Sequence, residues 1–536
     1  MGRCWMVLAS VSEGEPGLRA TFNGVANGFR FVSLDFEEAG WDAIVNISPL
    51  SSLASLELAD ASAMKQIFSS RSHYPKPLEL PVYQQLASFG RNLVVSEGEE
   101  WKRYRRISGP AFGERNIRLV FTETVKIVNS LFEDVWKNSE TIVLDHAPDL
   151  TLELSLLVIG SAGFGRPISW SSQQEEFKTT LNRVSGGLML KLVLNNLQLS
   201  QWAPRWVERG VEGVVDWVID LVRGAGTSET RKTHGTSTKQ VRQAFRDFDH
   251  SMREMIDARR SGGGVAYDGK GMGTGRDDLF NLLLDANEAY QDGGLEKEED
   301  GVQGGKLTDE ELIGNVFMFL LAGHETTAYT FSWVLAMLAL YPEEQEALYQ
   351  HIKEVIPDGR DPTYEDIPSL TRVLAVIYEA LRMFSTGAVR KTCEEDTVVT
   401  VSNIHGQTRI VPIPKGTEIV MNSFGVHYNP RYWPNPNTFD PSRFLSSSPQ
   451  GDYPRDAFIP FAAGARSCIG RKFSETESIA FVTLLVGKYR IELKDDEEFK
   501  LRGESFEEKQ RRILRGFQGI SLVPYRIPLV LRRREG

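Results

Sequence analysis

"FAAGARSCIG", residues 461–470, places one of only three cysteines in a glycine-flanked loop, two residues after an arginine and just ahead of a helix-forming run. A lone cysteine is most often a small buried core residue. The neighbours here suit another use. A thiolate that holds something needs donors or positive charge beside it, and its peptide must turn closely around the bound group. Gly464 and Gly470 offer that freedom. Arg466 offers charge, and the helix expected after Cys468 points backbone N–H groups toward its own start. No second cysteine or nearby histidine completes a zinc site, and there is no Cys-x-x-Cys pair. Three uses stay open: a nucleophile, a single thiolate to a metal already held in a cofactor, or an inert core residue.

The chain has 536 residues, 41% of them hydrophobic, enough to bury a large core. No long linker separates two independently patterned halves, so one large, mostly helical unit with a minor β region is expected. A net charge of -11 disfavours a general nucleic-acid binder, because phosphate wants a positive surface, and leaves room for a local basic patch. Cys4, Cys393 and Cys468 build no disulfide framework and suit a reducing compartment. "MGRCWMVLAS" at 1–10 is far too short for the roughly twenty apolar residues of a spanning helix. Helical periodicity marks 59–70, 116–138 and 206–223, while 224–240, 261–275 and 290–305 are Gly- and polar-rich and read as loops. Strands are expected at 41–50, in 397–421 and in 526–533, where β-branched residues alternate with turn formers.

"KLTDEELIGNVFMFLLAGHETTAYTFSWVLAMLALYP", 306–342, is the strongest helix, opened by the capping box Thr308/Glu311 and stopped by Pro342. Its polar interruption is the informative part. Gly323 leaves room for something to approach the backbone, and a carboxylate beside hydroxyls in an apolar helix is expensive unless used. Thr326 suits hydrogen bonding to a small ligand or water, and Glu325 suits proton transfer. The plainer alternative is that threonine bonds its own helix carbonyl.

Later, Glu379 and Arg382 sit three apart on one helical face, and "FDPSRFL" at 439–445 offers Arg443 as a second partner for the carboxylate. "WKRYRR" at 101–106 puts Trp101 and Arg105 on one face, a turn of positive charge suited to one small anionic group.

Together these segments resemble the cytochromes P450. Phe461-x-x-Gly464-x-Arg466-x-Cys468-x-Gly470 matches the family's haem-thiolate signature, a specific pattern. "AGHETT" at 322–327 looks like its oxygen-binding stretch, "EALR" at 379–382 its E-x-x-R, and "FDPSRF" at 439–444 the segment supplying the partner arginine. "WKRYR" at 101–105 looks like the helix whose Trp and Arg hold a haem propionate. The likeness spans 35–536 and is closest to fungal membrane-associated members. It implies a P450 fold, one large domain around a buried haem b, with Cys468 as the metal ligand and Phe461 packed near its sulfur. Arg466, Arg105 and Trp101 would bind propionates, with Arg390 or Lys391 adding a contact. Gly464 and Gly470 shape the loop. Thr326 with Glu325 would handle protons, and Glu379, Arg382 and Arg443 would be structural.

The implied activity is a monooxygenase that inserts one atom of O2 into a small lipophilic substrate. Electrons come from a separate NADPH–cytochrome P450 reductase, with cytochrome b5 as an additional donor. The alternatives are a reductase-independent isomerase, dehydratase or peroxygenase, which often lacks the Thr or the acid, and an inactive haem or apolar-ligand binder. Three departures from the family pattern stand out. Ser385 and Thr386 occupy the stretch after E-x-x-R where proline is usual, and Ser442 precedes Arg443 in place of Glu. Residues 1–34 lack the expected membrane anchor. A full-length form is expected on the cytosolic face of the endoplasmic reticulum membrane, and the chain as written in the soluble fraction.

Overall fold

A computed structural model describes residues 6–9, 18–21, 36, 39–47, 54–165, 170, 238–260, 277–292, 306–385, 389–446, 453–494, 503–518 and 521–534. The helix expected at 206–223, Cys4, Thr386 and nearly all of the three Gly-rich stretches lie outside these residues.

The helices that position the site are α1 (Ala61–Ser69), α2 (Gly98–Ser108), α3 (Glu114–Ser130), α4 (Ala147–Val158), α5 (Asp309–Leu340), α6 (Thr371–Met383) and α7 (Arg471–Lys488). Helix α5, 32 residues long, is the axis. Its capping box forms as the sequence requires: Thr308 Oγ1 accepts from the Glu311 amide at 3.2 Å, and Glu311 Oε2 accepts from the Thr308 amide at 2.9 Å. Apolar residues lie all round α5, so it has neighbours on every side. Thr151 of α4 meets Ser332 at 2.8 Å, Phe481 of α7 packs on Phe331, and Phe384 stacks on Trp333 at 4.3 Å.

The strands form four separate sheets among the described residues. A six-stranded sheet runs in the order β2 (Leu18–Thr21), β1 (Met6–Ala9), β3 (Ala43–Ile47), β4 (Ala54–Leu58), β9 (Glu418–Met421), β6 (Val389–Thr392). The 397–421 region therefore divides. β7 (Thr397–Ser402) and β8 (Thr408–Ile413) form the expected antiparallel hairpin, whereas β9 joins the larger sheet parallel to β4. A parallel partner comes from far along the chain, which local alternation cannot reveal. β5 (Thr141–Leu144) and β10 (Tyr489–Leu493) flank the C-terminal strand, and β11 (Gly516–Gln518) pairs with β12 (Leu522–Pro524). That strand, β13 (Leu529–Arg533), is the one expected at 526–533.

Glu379, Arg382 and Arg443 meet in the interior. Arg382 grips Glu379 with two bonds, Nε to Oε2 at 2.6 Å and Nη2 to Oε1 at 2.8 Å, and neither side chain has any exposure. Arg443 Nε stands 3.4 Å from Glu379 Oε1, and the Asp440 amide donates to the same oxygen at 3.0 Å. Arg382 Nη1 donates to the His427 carbonyl at 2.8 Å. Removing the carboxylate leaves the buried Arg382 guanidinium without its counter-charge and Arg443 with Asp440 alone, at 3.9 Å. Glu379→Ala is therefore expected to cost about 3–5 kcal/mol, read as loss of soluble protein and a lowered melting temperature. Normal yield and stability would show that the cluster is dispensable.

Candidate active site

The cysteine loop folds as it does because two residues take left-handed backbone conformations. Gly464 has φ +70, and a Cβ there would lie 2.6 Å from the Phe68 carbonyl oxygen at the end of α1. Ala462 sits at φ +54, a strained choice for a residue with a side chain. Gly470 differs from expectation: its φ is -87, and an added Cβ would make only ordinary contacts, the nearest at 3.8 Å. The loop is closed by the Cys468 amide donating to the Phe461 carbonyl at 2.9 Å.

Between this loop and α5 lies a cavity of about 390 Å³, bordered by Cys468, Phe461 and Ile469 on one side and by Ala322, Gly323 and Thr326 on the other. Accessible surface at Ala322 and Cys468, deep in the molecule, is surface facing this cavity. Burial pushes the Cys468 thiol up. The Gly470 backbone N–H, Arg105 and Arg471 pull the other way without overcoming it. A metal cation held at the sulfur would favour the thiolate.

Four cations border the same cavity: Arg71, Lys76, Lys391 and Arg466. Arg71 and Arg466 each lie 4.5 Å from the Trp101 ring centroid, so the indole braces both guanidiniums. Glu97 answers Arg466 at 2.6 Å, yet Arg466 Nε and Nη1 are buried without a hydrogen-bond partner. Burial, then repulsion from Arg466 and Lys391, lowers Lys76 to about 7. Burial first lowers Lys391 to about 8. Cations forced together with unused donors fit a ligand that carries carboxylates, as haem does through its propionates.

The strand pleat separates Arg390 from Lys391. Lys391 is 3% exposed and borders the cavity, whereas Arg390 points outward and pairs with Glu418 of β9. Of the two candidates, Lys391 is the one that borders the cavity. Trp101 and Arg105 are likewise not among the side chains bordering the cavity. Trp101 meets the cavity residues Arg71 and Arg466 through its ring, and Arg105 donates to the Ser467 carbonyl at 3.2 Å. Arg71 and Lys76 were missed by sequence reasoning. Their only signal is the density of basic residues in "RSHYPK" at 71–76, which has no periodicity to mark it.

On α5, Thr326 Oγ1 donates to the Ala322 carbonyl at 2.6 Å, so its oxygen meets the cavity as an acceptor. Glu325, one residue earlier, is 5% exposed, and its Oε2 has no partner. Burial raises its carboxyl to about 7. Gly323 borders the cavity and also admits Ile159, whose Cδ1 would lie 3.2 Å from an added Cβ.

The family model described as Cytochrome P450 matches residues 49–513. Cytochrome P450 monooxygenase 124 of Postia placenta is 41% identical over 508 residues, covering 93% of this chain and 87% of that protein. Cytochrome P450 4A2 of Rattus norvegicus is 28% identical, covering 78% and 72%. The crystal structure of the cytochrome P450DA heme domain shares the fold at a TM-score of 0.67, with 22% identity over 94% of this chain and 92% of that one. No described helix is long and apolar enough to cross a membrane. The extent of the family match and the identity to the Postia placenta protein make this chain a member of the cytochrome P450 superfamily, a haem-thiolate monooxygenase whose prosthetic group is haem b.

Proposed function

We propose that Cys468 is the axial ligand of the haem iron and that Arg466, Lys391, Arg71 and Lys76 hold the haem carboxylates. The chain would then insert one oxygen atom into a small lipophilic substrate, with electrons from a separate NADPH reductase. The observation that carries this reading is the single cavity bordered at once by the thiol, the four cations and the apolar face of α5. Resemblance to fungal membrane-associated relatives supports a reductase partner, cytochrome b5 as a second donor, and work at the cytosolic face of the endoplasmic reticulum.

Haem bound there supplies reductive activation of O2. The residues of this chain do the rest. Phe461 and Ile469 keep water from the sulfur side, and Trp101 fixes the planes of Arg71 and Arg466. Thr326 presents an oxygen that accepts a hydrogen bond in the cavity, while Glu325 holds a proton near neutrality because burial disfavours its anion.

The reduced carbon-monoxide complex is expected to show the strongly red-shifted Soret band of thiolate haem. Cys468→Ala should abolish it, and Cys393→Ala and Cys4→Ala should retain it; a histidine-like band in loaded wild-type protein would overturn the assignment. Lys391→Gln should speed haem loss to apomyoglobin, whereas Arg390→Gln should not. Equal loss rates would remove Lys391 from the carboxylate site.

Thr326→Ala should keep the Soret band and divert reducing equivalents to peroxide. An unchanged product yield per NADPH would reduce the hydroxyl to bonding its own helix. For Glu325, the folded value of about 7 lies above the ordinary 4.5, so its neutral form favours the native state at low pH and that advantage is lost as pH rises to 7. Glu325→Gln is accordingly expected to be more stable than wild type by about 3 kcal/mol at pH 8, with the gain fading toward pH 5. Urea melts at both values check it; a pH-independent difference would contradict the buried acid.

A further inference from the structure

Helix α7 opens with a residue that its own helix does not favour. Arg471 is the first residue, and a cation there meets the positive end of the backbone dipole. Its partner Glu475 lies one turn later, so the base precedes the acid, the weaker order along a helix. The Arg471 side chain is 46% exposed and has room to turn toward solvent. It is instead drawn inward, with its guanidinium 5.3 Å from the Phe461 ring centroid and 5.8 Å from that of Tyr378.

Tyr378 of α6 closes the arrangement. Its hydroxyl donates to Glu475 Oε1 at 2.6 Å and accepts from Arg471 Nη2 at 2.8 Å. Arg471 Nε donates to the same Oε1 at 2.7 Å. Each of the three side chains is thus bonded to the other two, across two helices. The phenol ring has little freedom of its own. It is 7% exposed, edge-on to Phe444 at 5.5 Å and tilted against Phe458 at 5.0 Å. The next residue is Glu379, the buried carboxylate that grips Arg382. Phenylalanine would serve the ring packing equally well, so the bonds of the hydroxyl are what Tyr378 adds.

This triangle stands behind the cysteine loop. Phe461 borders the cavity beside Cys468, and its carbonyl accepts from the Cys468 amide at 2.9 Å. Glu475 offsets the charge of Arg471 at long range, so what the sulfur senses depends on which end of the pair is turned toward it. With the guanidinium over Phe461, the positive end is turned toward the loop. Arg105 reaches the same loop from α2, through the Ser467 carbonyl.

We propose that Tyr378 is a positioning residue for the haem site: with Glu475 it holds the Arg471 cation over Phe461, and the charge fixed there raises the reduction potential of iron bound at Cys468. The inference rests on Cys468 as the axial ligand. Reduction adds one electron, and so negative charge, at the iron and its sulfur, and a cation held nearby favours that state. The triangle is not consumed, and no electron or proton passes through it.

Spectroelectrochemical titration of the ferric/ferrous couple in the full-chain holoprotein tests this without turnover. Tyr378→Phe is expected to move the midpoint to more negative potential and to keep the red-shifted carbon-monoxide band. Arg471→Gln should move it further in the same direction. The double variant should lie no lower than Arg471→Gln alone, because the phenol acts through the guanidinium. Arg471→Lys, which keeps the charge without the planar fork, should recover part of the shift. A midpoint unchanged in Tyr378→Phe, or a double variant showing the sum of the two shifts, overturns the proposal. Arg471 is exposed enough to be replaced without loss of folding, so an unchanged midpoint in Arg471→Gln overturns it even if Tyr378→Phe does not load haem. Wild-type protein lacking the red-shifted band would sink the ligand assignment and this inference with it. The band retained beside unchanged midpoints sinks the clamp alone.

Discussion

A carboxylate with no access to water, Glu379, holds the architecture of the proximal half together. Its attraction to Arg382 and Arg443 matters less as a net gain in energy than as a constraint on geometry, since a buried pair of this kind only roughly offsets its desolvation. The bidentate grip fixes the Arg382 plane, which places Nη1 on the His427 carbonyl. His427 is fully buried, and its Nε2 accepts from the Ile459 amide at 3.0 Å, just before the cysteine loop. Burial drives the imidazole well below its usual range, to about 3, so the ring stays a neutral acceptor at any working pH. An ion pair on α6 is thereby connected through His427 to the segment that leads into Phe461 and, one hydrogen bond later, Cys468.

The cavity divides its electrostatics sharply. At one end stand four cations with Glu97 as their nearby carboxylate; at the other, α5 presents alanine, glycine and threonine. Burying these cations, and to a lesser degree crowding them together, costs stability, visible in the lowered values of Lys76 and Lys391 and in the unused donors of Arg466. A fold does not keep such an arrangement for its own sake. On the proposed reading, a ligand with two carboxylates would recover that cost on binding, and its binding would add directly to the stability of the native state.

What could be read from the residues alone follows from the range of each interaction. The α5 capping box, the Glu379/Arg382 spacing and the cysteine signature are local patterns, and local geometry was enough to place them. Arg443 was legible as a partner because a Pro-punctuated loop lies close in sequence to the cysteine segment. Arg71 and Lys76 reach the cavity through α1 and the loop after it, a contact made across the fold. The choice between Arg390 and Lys391 depends on the pleat register of β6 against β9, and a register error of one residue inverts every side chain. β9 itself was read as part of a local hairpin region because nothing nearby announces its parallel partner β4, more than 350 positions earlier.

The polar residues of α5 sort themselves by whether their hydrogen bonds are complete. Asn315 accepts from the Leu93 amide and donates to the Glu311 carbonyl, Thr330 bonds the Thr326 carbonyl, and Ser332 bonds Ala328 and Thr151. Each is satisfied by protein, and each therefore reads as a packing or positioning residue. Glu325 Oε2 and His324 Nδ1 are not satisfied, and both face surroundings where desolvation penalises charge. A buried helix that completes most of its polar bonds has no packing reason to leave these two open. On the function proposed above, holding and releasing protons within a turn of the cavity would give that cost a use.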